Sequence, residues 1–225
     1  MNALAPVADT AVLMIDMQNM YLEQDKRDRF GWPPIFRFDE VVAACAELLE
    51  EARSQGLPII YTRQVQRADG ADMTPSMRKL RASVPAAEEE LVDTRPDGWA
   101  SEILDAVAPQ PGDIVLEKLR WDAFFRTELD VILRNLGVRR LLVAGLQTNV
   151  CVETTSRSAM MMGFEVAVPD DAVSTDGEAL HVAALDAMRV LYVEVAPWRE
   201  LLAPGAAWDR AFTTPSYGRV MPVAP

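Results

Sequence analysis

The sequence predicts an α/β fold: one domain, residues 1–225, built on a doubly wound, six-stranded and mainly parallel sheet with helices on both faces. Three observations lead there. Short runs rich in Val, Ile and Leu recur along the chain, amphipathic helical patterns lie between them, and the six runs read as buried strands. Strands separated by helices run parallel, because only a long crossover brings the chain back to the same end of the sheet. With 225 residues, 50% of them apolar, the chain is long enough to bury one sizeable core.

The first strand is AVLMID (11–16). Val41, Val42, Cys45, Leu48, Leu49 and Ala52 then line one face of a helix, which Gly56 stops. LPIIYTR (57–63) is the second strand. The stretch from about 64 to 112 is polar and Pro-punctuated, with one short helix near Trp99–Val107, and reads as an insertion serving as a lid, a subunit contact or a long connection. DIVLEK (113–118) is the third strand. Thr127, with Asp130 three residues on, opens a helix in a variant of the capping box, and Leu129, Ile132, Leu133 and Leu136 form its buried stripe before Gly137. RLLVAG (140–145) is the fourth strand, followed by a helix from about Cys151 to Met162 with Gly163 as its stop. FEVAVP (164–169), a helix from about Asp176 to Val190, and LYVEVA (191–196) complete the alternation. The Pro-rich tail from about 204 reads as a surface extension.

A formal charge of −12 argues against nucleic acid or anionic membranes as partners, because both demand accumulated Lys and Arg. No basic leader and no run near the roughly 20 apolar residues of a membrane span occur, so the expected setting is cytoplasmic and the expected partner a small-molecule substrate. Of the two cysteines, Cys45 falls on a helix stripe as a buried, inert thiol. Cys151 is the one left to explain.

In parallel α/β sheets, ligands bind beyond the carboxyl ends of the strands. Asp16 closes the first strand, Lys118 closes the third, and Cys151 lies just past the fourth at a helix start, so all three are expected to meet at one edge. A thiol at a helix N-terminus feels the positive end of the dipole, which lowers its pKa and makes Cys151 the candidate nucleophile. A nearby carboxylate takes the thiol proton and returns it to a leaving amine, the role expected of Asp16. An ammonium holds that carboxylate and offsets the charge of a tetrahedral intermediate, the role expected of Lys118. The one histidine, His181, lies in a predicted helix away from any strand end, as a surface or packed residue would.

Around these, Gln18, Asn19 and Tyr21 follow Asp16 and offer amide and hydroxyl groups to a polar substrate, or are ordinary solvated loop residues. Trp121, Phe124 and Phe125 follow Lys118 and either wall a pocket or pack a helix on the sheet. Arg63, Arg120 and Arg157 are candidates for binding a substrate carboxylate. Met160–Met162 read as core or interface. No spaced His and carboxylate set exists, so no metal or other cofactor is expected, and a nucleotide is disfavoured because no Gly-rich loop follows the first strand.

The segment GLQTNVCVETTSRSAMMMGFEVAVPDDAVST (145–175) resembles the nucleophile segment of isochorismatase-like cysteine hydrolases, through the spacing of Gly145, Thr148, Cys151, Val152, Thr155, Ala159 and Asp171. LMIDMQNMY (13–21) is similar to the family's aspartate segment, and DIVLEKLRWDAFFRTELDVILRNLG (113–137) to its lysine segment. The resemblance implies a thioester-type acyl-enzyme, an oxyanion hole made by the backbone N–H groups of Gln147 and Cys151, a cis peptide at Leu146–Gln147, and a homo-oligomer. Within the family, the motifs look most similar to ureidoacrylate and N-carbamoyl amidohydrolases, with biuret and maleamate hydrolases as close alternatives. The implied reaction is hydrolysis of an amide or ureido C–N bond, releasing ammonia or carbamate. Two other readings stay open: a vinyl ether hydrolase of the isochorismatase type, and a non-catalytic, redox-responsive binding protein using Cys151.

Overall fold

The computed structural model describes residues 9–21, 27, 32–83, 93–191 and 193–203. The tail from 204 and residues 84–92 of the 64–112 insertion lie outside the described residues. The apolar runs form strands β1 (Thr10–Ile15), β2 (Ile59–Gln64), β3 (Ile114–Lys118), β4 (Arg140–Leu146), β5 (Glu165–Pro169), β6 (Val173–Ser174) and β7 (Glu194–Ala196). The sheet order is β3-β2-β1-β4-β5-β7, with β6 paired to the end of β4, and every pairing is parallel.

Central β1 is buried along its whole length because each face meets its own layer. Val12 and Met14 point into a core completed by α1 (Phe38–Ser54) through Cys45, Leu48, Leu49 and Ala52, and by the Trp198 and Leu201 side chains of α6 (Trp198–Leu201). Ala11, Leu13 and Ile15 point into the opposite core. That one is closed by Leu129 and Leu133 of α3 (Leu129–Asn135), Ala159 of α4 (Glu153–Met161), and Leu185 and Met188 of α5 (Glu178–Leu191). A period-2 strand between two helical layers has no polar face to offer, which is why AVLMI is apolar at every position. Among the described residues, no helix is long and apolar enough to cross a membrane.

Four expectations are corrected. The sheet has a seventh strand, the two-residue β6, too short for any periodicity to register. The last strand spans 194–196 because α5 continues through Leu191. DIVLEK is an edge strand: Leu116 and Lys118 face inward, while Val115 is 45% exposed and Glu117 also faces out. In the insertion, the helix expected near Trp99–Val107 is two 3-10 turns, Trp99–Ser101 and Asp105–Val107, and α2 (Pro75–Ala82) was not foreseen.

The chain winds outward from β1 through β2 to β3 on one side, and returns through β4, β5 and β7 on the other. Parallel sheets open a crevice where the order reverses, here between the carboxyl ends of β1 and β4. Gly145 keeps those two strands together at that point, with φ +107° and a position at which a Cβ would lie 2.1 Å from the Ile15 carbonyl oxygen. Backbone cannot yield as a flexible side chain does. Gly145→Ala is therefore expected to cost about 3 kcal/mol or more, lowering the melting temperature by roughly 10 °C in thermal denaturation followed by circular dichroism.

Candidate active site

Asp16 is the first residue past β1 and turns the chain with φ +46°, a conformation Asp tolerates better than most residues. Its place is fixed by Thr62, which lies beside Ile15 in the β1–β2 register. The Asp16 N–H donates to the Thr62 carbonyl at 3.1 Å, and the Thr62 hydroxyl donates to Asp16 Oδ1 at 2.8 Å. Lys118 ends β3, two strands away, and its side chain spans β2 to place Nζ 2.6 Å from Asp16 Oδ2. The same ammonium donates to the Arg120 carbonyl at 3.0 Å and lies 3.6 Å from Cys151 Sγ. Cys151 arrives from β4 by way of a cis Leu146–Gln147 peptide and a π turn, Thr148–Val152, which runs directly into α4. The three side chains expected from separate strand ends thus converge. Asp16, Lys118 and Cys151 are 1%, 0% and 3% exposed, so they meet in a dry interior.

Dryness decides the electrostatics. Burial works against the Lys118 ammonium, yet the Asp16 carboxylate and Cys151 beside it hold its pKa above the ordinary lysine value, so it stays charged. Burial pushes the Cys151 thiol up, Lys118 pulls it down and Asp16 pushes it up again, leaving it well above an ordinary cysteine. This reverses the expectation of a lowered thiol: loss of hydration outweighs the helix terminus. The thiol therefore rests protonated and needs a base. Asp16, whose Oδ2 lies 2.6 Å from Lys118 Nζ, is the buried carboxylate that acts on the thiol. In a Cys45→Ala background, iodoacetamide is expected to alkylate the native protein at pH 7 at least about tenfold more slowly than the urea-unfolded chain. The native rate should climb as pH rises past the ordinary thiol value of about 8.5. Timed mass spectrometry of the alkylated protein checks this.

The other expected residues divide. Gln18 was expected to meet substrate, but its Nε2 donates to the carbonyls of Gln64 at 3.1 Å and Ser101 at 3.0 Å, and its Oε1 accepts the Gln64 N–H at 2.8 Å. Its amide is consumed in fastening β2 to the insertion. Asn19 likewise ties to Glu102, through its N–H at 2.9 Å and Nδ2 at 3.4 Å. Tyr21 is buried, and burial first, then electrostatic coupling to Cys151 and Asp16, raises its phenol well above its usual value. Trp121 is 57% exposed and walls no buried pocket, while Phe124 stacks on Phe164 with centroids 5.9 Å apart in the helix-side core. Phe125 is exposed.

Arg63 pairs with Glu117, Arg157 with Glu153, and Arg120 donates to the carbonyls of Leu119 and Asp72. None of these arginines turns to the thiol. Met160, Met161 and Met162 are exposed, which removes the core half of their reading. Cys45 is buried as expected, donating to the Ala172 carbonyl at 3.3 Å. His181 is buried against the Thr148 hydroxyl, 3.0 Å from its Nδ1, and burial lowers its pKa. Among the described residues, no group of His, Cys, Asp and Glu is arranged to hold a metal ion.

Sequence reasoning missed Gln64. It is the last residue of β2, opposite Lys118, with Oε1 3.4 Å from Lys118 Nζ and 4.0 Å from Cys151 Sγ. The strand-end rule that picked out the other three would have found it, had LPIIYTR been extended by one residue. The turn after β4, with its cis Leu146–Gln147 peptide, lies at the same end of the sheet. A thiol, a buried carboxylate and a fixed ammonium in one place can together add sulfur to a carbonyl and offset the charge of the resulting oxyanion.

Comparisons with known proteins show the family and the fold. The isochorismatase domain family model matches residues 10–200. The ureidoacrylate amidohydrolase RutB of Azorhizobium caulinodans is 34% identical over 185 residues, covering 76% of this chain and 78% of that protein. Among solved structures, a cysteine hydrolase from Pseudomonas syringae pv. phaseolicola superposes with a TM-score of 0.75 at 27% identity, covering 87% of this chain and 91% of that one. N-carbamoylsarcosine amidase from Thermoplasma acidophilum shares the fold, with a TM-score of 0.65 at 24% identity over 85% of this chain and 98% of that one.

Proposed function

The chain belongs to the isochorismatase domain family, and from that premise we propose that it is a cysteine amidohydrolase cutting an amide or ureido C–N bond of a small molecule. The observation that carries the reading is the buried meeting of Asp16, Lys118 and Cys151 at the sheet's switch point, with Lys118 Nζ 2.6 Å from Asp16 Oδ2 and 3.6 Å from Cys151 Sγ.

The reaction runs in two halves. Cys151 Sγ attacks the carbonyl carbon as its proton passes to Asp16, and the N–H groups of Gln147 and Cys151 receive the oxyanion. Collapse of the tetrahedral adduct breaks the C–N bond, and Asp16 hands its proton to the departing nitrogen, leaving an acyl or carbamoyl thioester on sulfur. Water then gives one proton to Asp16 and adds its oxygen to the thioester carbon. The thiolate leaves, takes the proton back, and the acid or carbamate is released. Throughout, Lys118 keeps Asp16 oriented and offsets the negative charge that moves between oxygen and sulfur.

The 34% identity to a ureidoacrylate amidohydrolase favours a ureido substrate, whose carbamate product decays to carbon dioxide and ammonia. The test is ammonia release from a panel of ureido acids, carbamoyl amino acids, biuret, maleamate and nicotinamide, with native protein, Cys151→Ala and added chelator. Turnover of a ureido member that vanishes in Cys151→Ala and survives chelation is the expected result. A well-folded native protein that turns over no amide on the panel would overturn the reading.

A further inference from the structure

We propose that Arg27 and Asp176 are positioning residues that brace the oxyanion side of the site through Gln147, an inference that rests on the cysteine amidohydrolase reading above. Neither residue is used by the chemistry, yet the two form a partly buried ion pair joined to the turn that carries the nucleophile. Asp176 Oδ1 accepts one hydrogen bond from Gln147 Nε2 at 2.7 Å and another from the Arg27 guanidinium. Arg27 is 4% exposed. Its Cζ lies 5.6 Å from the Tyr21 ring centroid and 5.5 Å from that of Trp32, and its Nε donates to the Pro33 carbonyl at 3.3 Å.

Two further bonds show that this end of the molecule grips the turn rather than merely touching it. Thr175, adjacent to Asp176, donates its hydroxyl to Asn149 Oδ1 at 2.5 Å, so neighbouring side chains seize positions 147 and 149 just ahead of Cys151. The anchor is itself held from behind, where the Phe36 N–H donates to the Thr175 carbonyl at 2.9 Å and Ile35 bridges Asp176. Gln147 contributes both its side chain to the brace and its backbone N–H to the oxyanion, so fixing the first orients the second. On the other flank, Arg27 lies over Tyr21, the buried phenol coupled electrostatically to Cys151 and Asp16. One guanidinium therefore ties the wall beside the nucleophile to the turn on the oxyanion side.

Burial raises the Asp176 pKa above the ordinary carboxylate value, and the Arg27 guanidinium and Gln147 amide, both bonded to Oδ1, oppose that rise. A neutral acid there would be a weaker acceptor and would hold Gln147 less firmly.

The test compares native enzyme with Arg27→Met, Arg27→Lys, Asp176→Asn and Gln147→Met. It uses kcat and KM on the best ureido substrate, affinity for a small aldehyde analogue, the Cys151 alkylation rate and thermal melting. An aldehyde adds to the Cys151 thiol as a hemithioacetal whose oxygen takes the same donors as the tetrahedral intermediate. The expected result is a fall of about ten- to a hundredfold in kcat and in aldehyde affinity for Arg27→Met and Gln147→Met, with KM and alkylation within about twofold of native. Asp176→Asn, which keeps an acceptor for Gln147, should lose less. Unchanged kcat and aldehyde affinity in folded variants overturns the brace, and so does a rise confined to the KM of carboxylate-bearing substrates, which would make Arg27 a substrate contact. If Arg27→Met does not fold, Gln147→Met decides alone, since it breaks the other end without stranding a buried charge. Hydrolysis that persists in Cys151→Ala would instead mark failure of the cysteine reading, independently of the brace.

Discussion

Replacing Cys151 with alanine is expected to lower kcat by about ten-thousandfold or more while leaving the melting temperature nearly unchanged. The two halves of that expectation have separate physical causes. Sulfur is the only soft nucleophile the site offers: the other thiol, Cys45, is buried on the opposite side of the sheet against Ala172. Asp16 and Lys118 are already committed to each other at 2.6 Å, and neither can form the thioester. What binding and the backbone donors still provide is expected to leave a small residual rate. Stability is spared because the change removes one sulfur atom and its weak contacts, without stranding a charge, so the loss should stay near 1 kcal/mol. Steady-state ammonia release and thermal denaturation on the same preparation read both halves.

Removing the ammonium should do the opposite to stability. Lys118→Met keeps most of the stem's volume but leaves the Asp16 carboxylate, 1% exposed, without its countercharge. Stranding one partner of a buried pair costs about 3–5 kcal/mol, which corresponds to a melting temperature lower by roughly 10 °C. Activity should fall by about a thousandfold or more, since both the orientation of the base and the offset of the oxyanion go. The double variant Asp16→Asn with Lys118→Met separates the two effects: it should recover much of the stability lost in Lys118→Met and none of the activity. Equal melting temperatures for the native protein and the Lys118→Met single variant would show that the pair is not buried in the way described.

These expectations rest on features that the amino-acid sequence reveals unevenly. AVLMI, LLVAG and VAVP were legible as strands because burial between two helical layers removes every polar position, and the helical stripes were legible because each has one buried face. Asp16, Lys118 and Cys151 were legible as a group because a parallel sheet gathers its strand ends on one edge. The edge character of β3 was hidden, since Val115 is as apolar as a buried residue and only topology puts it outside. Gln18 looked like a loop residue facing a ligand because nothing local shows that the Gln64 and Ser101 carbonyls, 46 and 83 residues away, will claim its amide. Arg27 and Asp176 are 149 positions apart, beyond any spacing rule. The sign of the Cys151 shift was misjudged for a related reason: a helix start is readable locally, whereas the desolvation that overrides it depends on the whole fold closing over the sulfur.

The central claim, a covalent intermediate on Cys151, is tested most directly by rapid quenching of the native enzyme during turnover of its best ureido substrate, followed by intact and peptide mass spectrometry. The account predicts a transient acyl or carbamoyl adduct on the peptide containing Cys151, absent from the peptide containing Cys45 and from the Cys151→Ala protein. Hydrolysis proceeding at the native rate with no adduct on Cys151 at any quench time, together with full activity in Cys151→Ala, would contradict it.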